Sequence, residues 1–111
     1  MEEDREDIRG IILKSEELVS YQEGAIVSRT IVQKKTGTIT LFAFGEGQSL
    51  SEHTAPFDAL ISILDGEAAI TIGEKEHHLS SGDMIILPAD VPHAVLAKRQ
   101  FRMLLAMIRS E

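Results

Sequence analysis

The chain has 111 residues, of which 43% are hydrophobic and 26% charged, a balance typical of one globular domain. Its formal net charge of −7 argues against nucleic-acid binding, which requires clustered Lys and Arg. Cys is absent, which excludes disulfides, thiolate metal sites and a cysteine nucleophile. No apolar run approaches the roughly 20 residues that cross a bilayer, and the acidic N-terminus lacks the apolar core of a signal peptide. We therefore expect a single cytoplasmic domain over residues 1–111 with no membrane partner.

The first third of the chain predicts a charged lead, one helical turn and two strands. The lead covers residues 1–10, and residues 15–19 predict a helical turn because Ser suits an N-cap and Glu suits the helix dipole. Residues 25–33 and 38–44 are rich in the β-branched residues Ile, Val and Thr, which favour strands. The polar residues 34–37 between them predict a turn, so the two strands form a hairpin.

Short apolar segments then recur at regular intervals to the end of the chain. They cover residues 60–64, 68–72, 84–87 and 101–108, and turn signals separate them. The dipeptide Asp65–Gly66 predicts a tight hairpin, since both central positions of such a turn accept a positive φ. About eight strands with almost no helical periodicity predict an all-β antiparallel sandwich or barrel.

Two glycine- and proline-punctuated patterns, each containing a histidine, lie within this strand region. Their fixed points are Gly47, His53, Gly66, Gly82, Pro88 and His93. In this order and spacing they resemble the two motifs of the cupin superfamily, which are small jelly-roll barrels of the RmlC-like type. The resemblance covers residues 38–108. It implies an antiparallel jelly-roll β-barrel or double-sheet sandwich with at most a short N-terminal helical turn.

The resemblance also implies a metal-ligand set that this chain carries only in part. Metal-binding cupins usually hold their ion with two histidines and a glutamate from the first motif and one histidine from the second. His53 and His93 match one histidine of each motif, whereas the other two positions fall on Ala55 and Ala59. Asp58 is an alternative third ligand, although a shift of one residue in a regular strand turns a side chain to the opposite face. The sequence therefore leaves open whether His53 and His93 bind a divalent transition metal as a cofactor.

Three alternative functions are compatible with these residues. For none of them does the sequence identify a catalytic residue. The first is binding of a small molecule in the barrel cavity, with His53 and His93 as polar contacts and Ala55 and Ala59 opening apolar space. The second is a metal-dependent enzyme of the dioxygenase, isomerase or decarboxylase type that the cupin resemblance implies, using the two histidines and an unidentified third ligand. The third is a scaffold or regulatory module without a ligand.

The predicted first strand suggests a partner subunit. Its apolar residues occur at both parities, with Ala25, Val27 and Ile31 on one face and Ile26 and Val32 on the other. A strand that is apolar on both faces is usually covered on both, and a second subunit can supply one cover. The cupin resemblance also implies homodimers, so we expect a symmetric homodimer.

Overall fold

The computed structural model describes residues 7–109 and builds them into one helical turn and seven strands. These elements are α1 (Ser15–Leu18), β1 (Ile26–Lys34), β2 (Gly37–Phe44), β3 (Ser49–His53), β4 (Asp58–Ile72), β5 (Lys75–Ser80), β6 (Met84–Leu87) and β7 (His93–Ile108). All pairs of neighbouring strands are antiparallel. Within residues 7–109, no helix is long and apolar enough to cross a membrane. The predicted all-β antiparallel fold with a short helical turn is confirmed.

The predicted hairpin at Asp65–Gly66 is wrong, because β4 continues through it from Asp58 to Ile72. The pairing of β4 with β7 shifts register on both sides of Gly66, which has a φ of 91°. A positive φ at this glycine therefore bends the strand without reversing it. The last strand is also longer than predicted, since β7 begins at His93. The predicted strands 60–64 and 68–72 are thus parts of one strand, and residues 7–109 form seven strands instead of about eight.

The bends in β4 and β7 fold the continuous sheet into two layers. The first layer, called sheet I, has the order β1-β2-β7-β4-β6 and uses the first half of β4 and the second half of β7. The second layer, called sheet II, has the order β3-β7-β4-β5 and uses the other halves of the two long strands. This arrangement is the double-sheet jelly roll that the sequence predicts.

The hydrophobic core lies between the inner faces of the two sheets. The largest fully buried side chains facing it are Phe44, Ile61, Ile63, Ile70, Phe101 and Met103. The rings of Phe44 and Phe101 stack with centroids 4.5 Å apart, close to the bend. Burial of each such side chain stabilises the fold by roughly 1.5–3 kcal/mol.

The end of the barrel away from the bend is less completely packed. Its inner-face side chains Ile72, Ile85, Leu105 and Met107 are only partly buried, although they pack against the same core. Strand β3 ends and strand β7 begins at this end. We call this end the mouth of the barrel.

The N-terminal segment is fixed to the outside of sheet I by a polar network. Arg102 donates from Nε to the Asp65 carboxylate at 3.0 Å and from Nη1 to the carbonyl of Val19 at 3.2 Å. The hydroxyl of Tyr21 donates to the same carboxylate, and the Arg102 guanidinium lies 4.8 Å from the centre of the Tyr21 ring. Burial and the hydrogen bond to Asp65 raise the pKa of Tyr21, so the hydroxyl stays protonated as a donor.

The predicted charged lead over residues 1–10 falls mostly outside the described residues. In its described part, the Arg9 guanidinium lies 3.0 Å from the Asp7 carboxylate on the exposed surface. The hydrogen bonds and the positive charge of Arg9 lower the pKa of Asp7 to about 2. A fully exposed pair of this kind is screened by salt and adds little to stability.

Candidate functional site

The two motif histidines are brought together by strand pairing at the mouth. His53 is the last residue of β3, and His93 is the first residue of β7. The two residues are register partners in the antiparallel pair of β3 and β7, and His93 also pairs with Ile72 of β4. Directly opposed residues point to the same face of a sheet, so both imidazoles face the inside of the barrel.

The ring nitrogens of the two histidines converge. The Nε2 atoms lie 3.1 Å apart, with ring centroids 4.4 Å apart and ring planes inclined at 73°. The Nδ1 atom of each ring contacts the carbonyl oxygen two residues earlier in the chain. That distance is 2.8 Å from His53 to Ser51 and 3.3 Å from His93 to Val91.

These contacts restrict the position of the protons. A carbonyl oxygen only accepts hydrogen bonds, so an Nδ1 bonded to it carries a hydrogen and leaves a lone pair on Nε2. Two opposed lone pairs repel each other, so one Nε2 atom must carry a proton to bond with the other. Because the carbonyl contact of His93 is longer than that of His53, we infer that His93 carries its proton on Nε2 rather than on Nδ1 in the neutral pair. The mouth then offers a donor on His93 and an acceptor on His53.

The two rings differ in their exposure to solvent. His93 is only 7% exposed, whereas His53 is exposed to solvent. Burial and the nearby ring of His53 lower the pKa of His93 below its ordinary value of 6.5, against a smaller opposing effect of the Val91 carbonyl. His93 is therefore mainly neutral at physiological pH.

We expect this shift to appear in the pH dependence of stability. Because the pKa of folded His93 lies below 6.5, the unfolded chain takes up this proton first. The free energy of unfolding should therefore fall as the pH is lowered through 6.5 towards the pKa of the folded state. The variant His93→Gln should lose less stability over the same interval. Urea unfolding between pH 5 and 8 measures this, and parallel curves for the two proteins would contradict it.

The two motif alanines occupy different surroundings. Ala59 is 7% exposed, belongs to the core cluster and pairs with Leu87 and Met107. Ala55 lies half-buried in the connection between β3 and β4, and its carbonyl accepts from the backbone N–H of Asp90 at 2.7 Å. Ala59 therefore lies on the inner wall, whereas Ala55 helps to fix the loop that precedes His93.

Asp58 is not brought to the histidine pair. It begins β4 opposite Ile108 and is exposed, one residue out of phase with the inward-facing Ala59. Its carboxylate accepts from the backbone N–H of Ala89 at 2.8 Å. The carboxylate therefore ties the loop after β6 to the start of β4.

Inward-facing residues around the histidines give the mouth a mixed character. Register pairing places Thr38 opposite Met107 and Thr40 opposite Leu105, all on the inner face of sheet I. The Thr40 hydroxyl also bonds to that of Thr30 at 3.1 Å. A partly exposed apolar wall with a few hydroxyl and imidazole groups is the usual lining of a small-molecule site.

A separate cleft lies at the opposite end of the barrel. It has a volume of about 630 Å³, and its lining includes Tyr21, Asp65, Gly66 and Arg99 but neither histidine. Sequence reasoning misses this region because Asp65–Gly66 has the composition of a simple turn. The residues that line the cleft lie as far apart in the chain as Tyr21 and Gln100, and no short motif signals such a grouping.

Comparison with known proteins establishes the family. The family model described as "Cupin domain" matches residues 40–108, so this chain belongs to the cupin family. A conserved protein of unknown function from Streptococcus pyogenes is 35% identical, with a TM-score of 0.88 over 93% of this chain and 90% of that one. A cupin superfamily protein from Desulfitobacterium hafniense is 31% identical, with a TM-score of 0.86 over 92% and 94% of the two chains.

A third relative is a cupin 2 conserved barrel domain protein from Leptotrichia buccalis. It is 42% identical with a TM-score of 0.81 over 84% of this chain, which spans 45% of that longer protein. No curated protein matches the chain. The cupin family and fold are therefore confirmed. The three relatives are described only by their family or as a protein of unknown function, without a ligand, reaction or partner.

The donor set does not fit the metal ligands expected of a metal-binding cupin. Sites for first-row divalent metals usually have three or four protein ligands. Among residues 7–109, no cluster of three or more His, Cys, Asp or Glu side chains could hold an ion. His53 and His93 supply two neutral nitrogens, while Ala55 and Ala59 supply no side-chain donor. The likeness to cupins thus extends to the fold and not to the complete ligand set.

Proposed function

We propose that this cupin binds a small organic molecule in the mouth of its barrel, with His53 and His93 making the polar contacts. The observation that carries the proposal is the 3.1 Å approach of the two Nε2 atoms on an otherwise largely apolar inner face. Ala59 presents only a methyl group on the inner wall formed by β4. An apolar cavity with a few convergent polar groups suits a ligand that is itself partly apolar.

The chemistry of the histidine pair defines the ligand class further. In the neutral pair, the Nε2–H of His93 donates and the Nε2 of His53 accepts. A hydroxyl group both donates and accepts, so when the two rings move apart it can replace their direct hydrogen bond and satisfy both nitrogens. A carboxylate only accepts and requires a protonated pair. We therefore propose an alcohol-type ligand with an apolar body, which binds more strongly than the matching carboxylate above pH 7.

Four small probes test this assignment: 1-hexanol, hexanoate, benzyl alcohol and benzoate. Each is titrated into protein carrying ¹³C in the histidine rings, and the ring signals are followed by NMR at pH 7.5. We expect the alcohols to shift the signals of His53 and His93 in a saturable manner. His78 is exposed and is the register partner of Ala69, away from the mouth. The NMR signal of its ring should therefore not shift.

Matched variants separate the mouth from general surface binding. His53→Ala should weaken alcohol binding at least tenfold, because it removes the acceptor from an apolar site. His78→Ala, which removes an exposed imidazole, should leave it unchanged. If all four probes leave His53 and His93 unshifted, the scaffold or regulatory alternative takes the place of this proposal. Equal effects of the two variants would also overturn it.

A metal-dependent enzyme is the second candidate, because the two Nε2 atoms lie close enough to bind one ion at about 2.1 Å from each. Two neutral ligands leave the charge of the ion uncompensated, so we expect weak binding. Added zinc, manganese, iron or nickel should change the melting temperature of wild type and of His53→Ala equally. A stabilisation found only in wild type, with one metal ion per chain by elemental analysis, would favour the enzyme.

A further inference from the structure

The loop between β6 and β7 is bound to the segment 54–58, which follows β3, by two adjacent hydrogen bonds. The backbone N–H of Ala89 donates to the Asp58 carboxylate at 2.8 Å, and that of Asp90 donates to the Ala55 carbonyl at 2.7 Å. Segment 54–58 begins directly after one motif histidine, and the loop ends directly before the other. The two bonds therefore join the chain segments that carry the two imidazoles.

The loop has a conformation that needs such support. Within residues 7–109, Asp90 is the one non-glycine residue with a positive φ, which is 66°. The backbone N–H of Val91 lies 3.4 Å from the Pro88 carbonyl, so Asp90 occupies the turn position at which glycine is usual. A non-glycine residue in this region is strained and persists where surrounding contacts fix it. The shape of the loop therefore depends on its bonds to Ala55 and Asp58.

The position of the loop determines where the His93 ring lies. The Pro92 carbonyl accepts from the backbone N–H of Gly73 at 2.8 Å, so the turn between β4 and β5 fixes the loop on its other side. The Val91 carbonyl lies 3.3 Å from Nδ1 of His93. A shift of the loop would move both the backbone and this polar neighbour of the ring. It would therefore disturb the 3.1 Å contact with His53.

The phase of Asp58 in β4 brings its carboxylate to the loop. The residue is exposed and lies one position out of phase with the inward-facing Ala59, so its side chain points away from the core. A carboxylate is a stronger acceptor for a backbone N–H than a neutral oxygen. Asp58 is therefore suited to fixing the loop from outside the barrel, without contacting the histidines.

We propose that Asp58 is a positioning residue for the histidine pair, acting through the N–H of Ala89 and the loop that leads to His93. Without the carboxylate, the N–H of Ala89 loses its partner and the strained turn at Asp90 is free to relax. Side chains of a binding site keep their geometry when surrounding hydrogen bonds hold them in this way. The inference concerns the pair without a ligand and does not depend on the proposed function.

Hydrogen exchange of the ring N–H that joins the two histidines tests this role. It is measured by NMR on unliganded protein carrying ¹⁵N in the histidine rings. We expect Asp58→Ala to speed the exchange with water by about tenfold or more, because loss of a charge-assisted bond lets the loop open more often. Asp58→Asn keeps a side-chain oxygen that accepts, so its exchange rate should stay within about threefold of wild type.

Asp83→Ala is the matched control. The Asp83 carboxylate accepts from the backbone N–H of Ser80 at 2.8 Å, in the turn between β5 and β6 and so at the other end of β6 from the loop. The variant removes the same kind of bond from an exposed site and should leave the exchange unchanged. Equal acceleration in Asp83→Ala and Asp58→Ala would overturn the proposal. So would an unchanged rate in Asp58→Ala, or an Asp58→Asn rate as high as that of Asp58→Ala.

A second variant covers the case in which Asp58→Ala does not fold. Urea unfolding first shows whether each variant keeps a cooperative transition. Where Asp58→Ala has none, Asp58→Glu replaces it, because it keeps the charge and displaces the carboxylate by one methylene. Its exchange should still be faster than wild type by about threefold or more, since the supporting bond loses its geometry. A wild-type rate in Asp58→Glu would then overturn the proposal.

Titration with benzyl alcohol separates this inference from the proposed function. Where wild type binds the alcohol, Asp58→Ala should weaken binding by about tenfold and Asp58→Asn should leave it nearly unchanged. Equal affinities of wild type and Asp58→Ala would overturn the positioning role. A wild type that binds no alcohol would overturn the proposed function instead, and a faster ring N–H exchange in Asp58→Ala would still support the positioning role.

Discussion

Replacing Gly66 by alanine is expected to lower the free energy of unfolding by about 2–5 kcal/mol. A Cβ at this position would lie 2.0 Å from the Gln100 carbonyl oxygen and 2.5 Å from the Cα of Phe101. Both are backbone atoms at the bend of β7 and cannot move without distorting the sheet. The φ of 91° adds a backbone cost of about 1–2 kcal/mol for any L side chain, and the clash adds about 1–3 kcal/mol.

Gly82→Ala is the matched control for this variant. Gly82 has nearly the same φ of 92°, but no atom lies within 4 Å of the position that a Cβ would take there. We expect it to lose only the backbone cost, about 1–2 kcal/mol. Urea unfolding of both variants measures the difference. Equal losses in the two would contradict the close approach of β4 and β7 at Gly66.

Phe101→Ala is expected to cost about 3–5 kcal/mol, a large fraction of the roughly 5–15 kcal/mol that stabilises a typical domain. Phe101 is fully buried, stacks on Phe44, and lies where β7 turns from one sheet into the other. Removing the ring would leave a cavity between the two sheets, which cannot move close enough together to fill it. Thermal unfolding should show a fall of at least 10 °C or loss of the cooperative transition.

Phe57→Ala makes the same chemical change outside the core. The Phe57 ring is half-buried, and the Arg109 guanidinium lies 5.5 Å from its centre. We expect a loss of about 1 kcal/mol, typical of a partly exposed contact. A similar loss for Phe57→Ala and Phe101→Ala would contradict a core centred between the two sheets.

The sequence predicts the fold well because jelly-roll strands are short and turn residues mark their ends. It fails at Asp65–Gly66, where a positive φ is equally compatible with a hairpin and with a bend in a long strand. The choice between them depends on Phe101 and the neighbouring backbone, which are 35 residues away in the chain. Local turn signals contain no information about that contact.

The sequence also predicts one part of the candidate site and not the rest. The motif spacing predicts that His53 and His93 mark the opening of one pocket but leaves open whether their ring nitrogens converge. Their register pairing brings the Nε2 atoms to 3.1 Å. The carbonyl contacts of Ser51 and Val91, which restrict the protons, depend on side-chain rotation and are not visible in a sequence. The hydrogen bond from Ala89 to Asp58 joins residues 31 positions apart and is equally unpredictable. The cytoplasmic location, the single domain over residues 1–111 and the homodimer stay predictions.

The central claim is that the histidine pair binds an organic molecule directly, without a bound metal ion. It is tested most directly by titrating benzyl alcohol into ring-labelled protein with and without excess EDTA. We predict the same saturable shifts of the His53 and His93 signals in both titrations, because the two Nε2 atoms themselves contact the hydroxyl. Loss of the shifts in EDTA, with recovery after zinc, manganese, iron or nickel is added in excess of the chelator, would contradict this account.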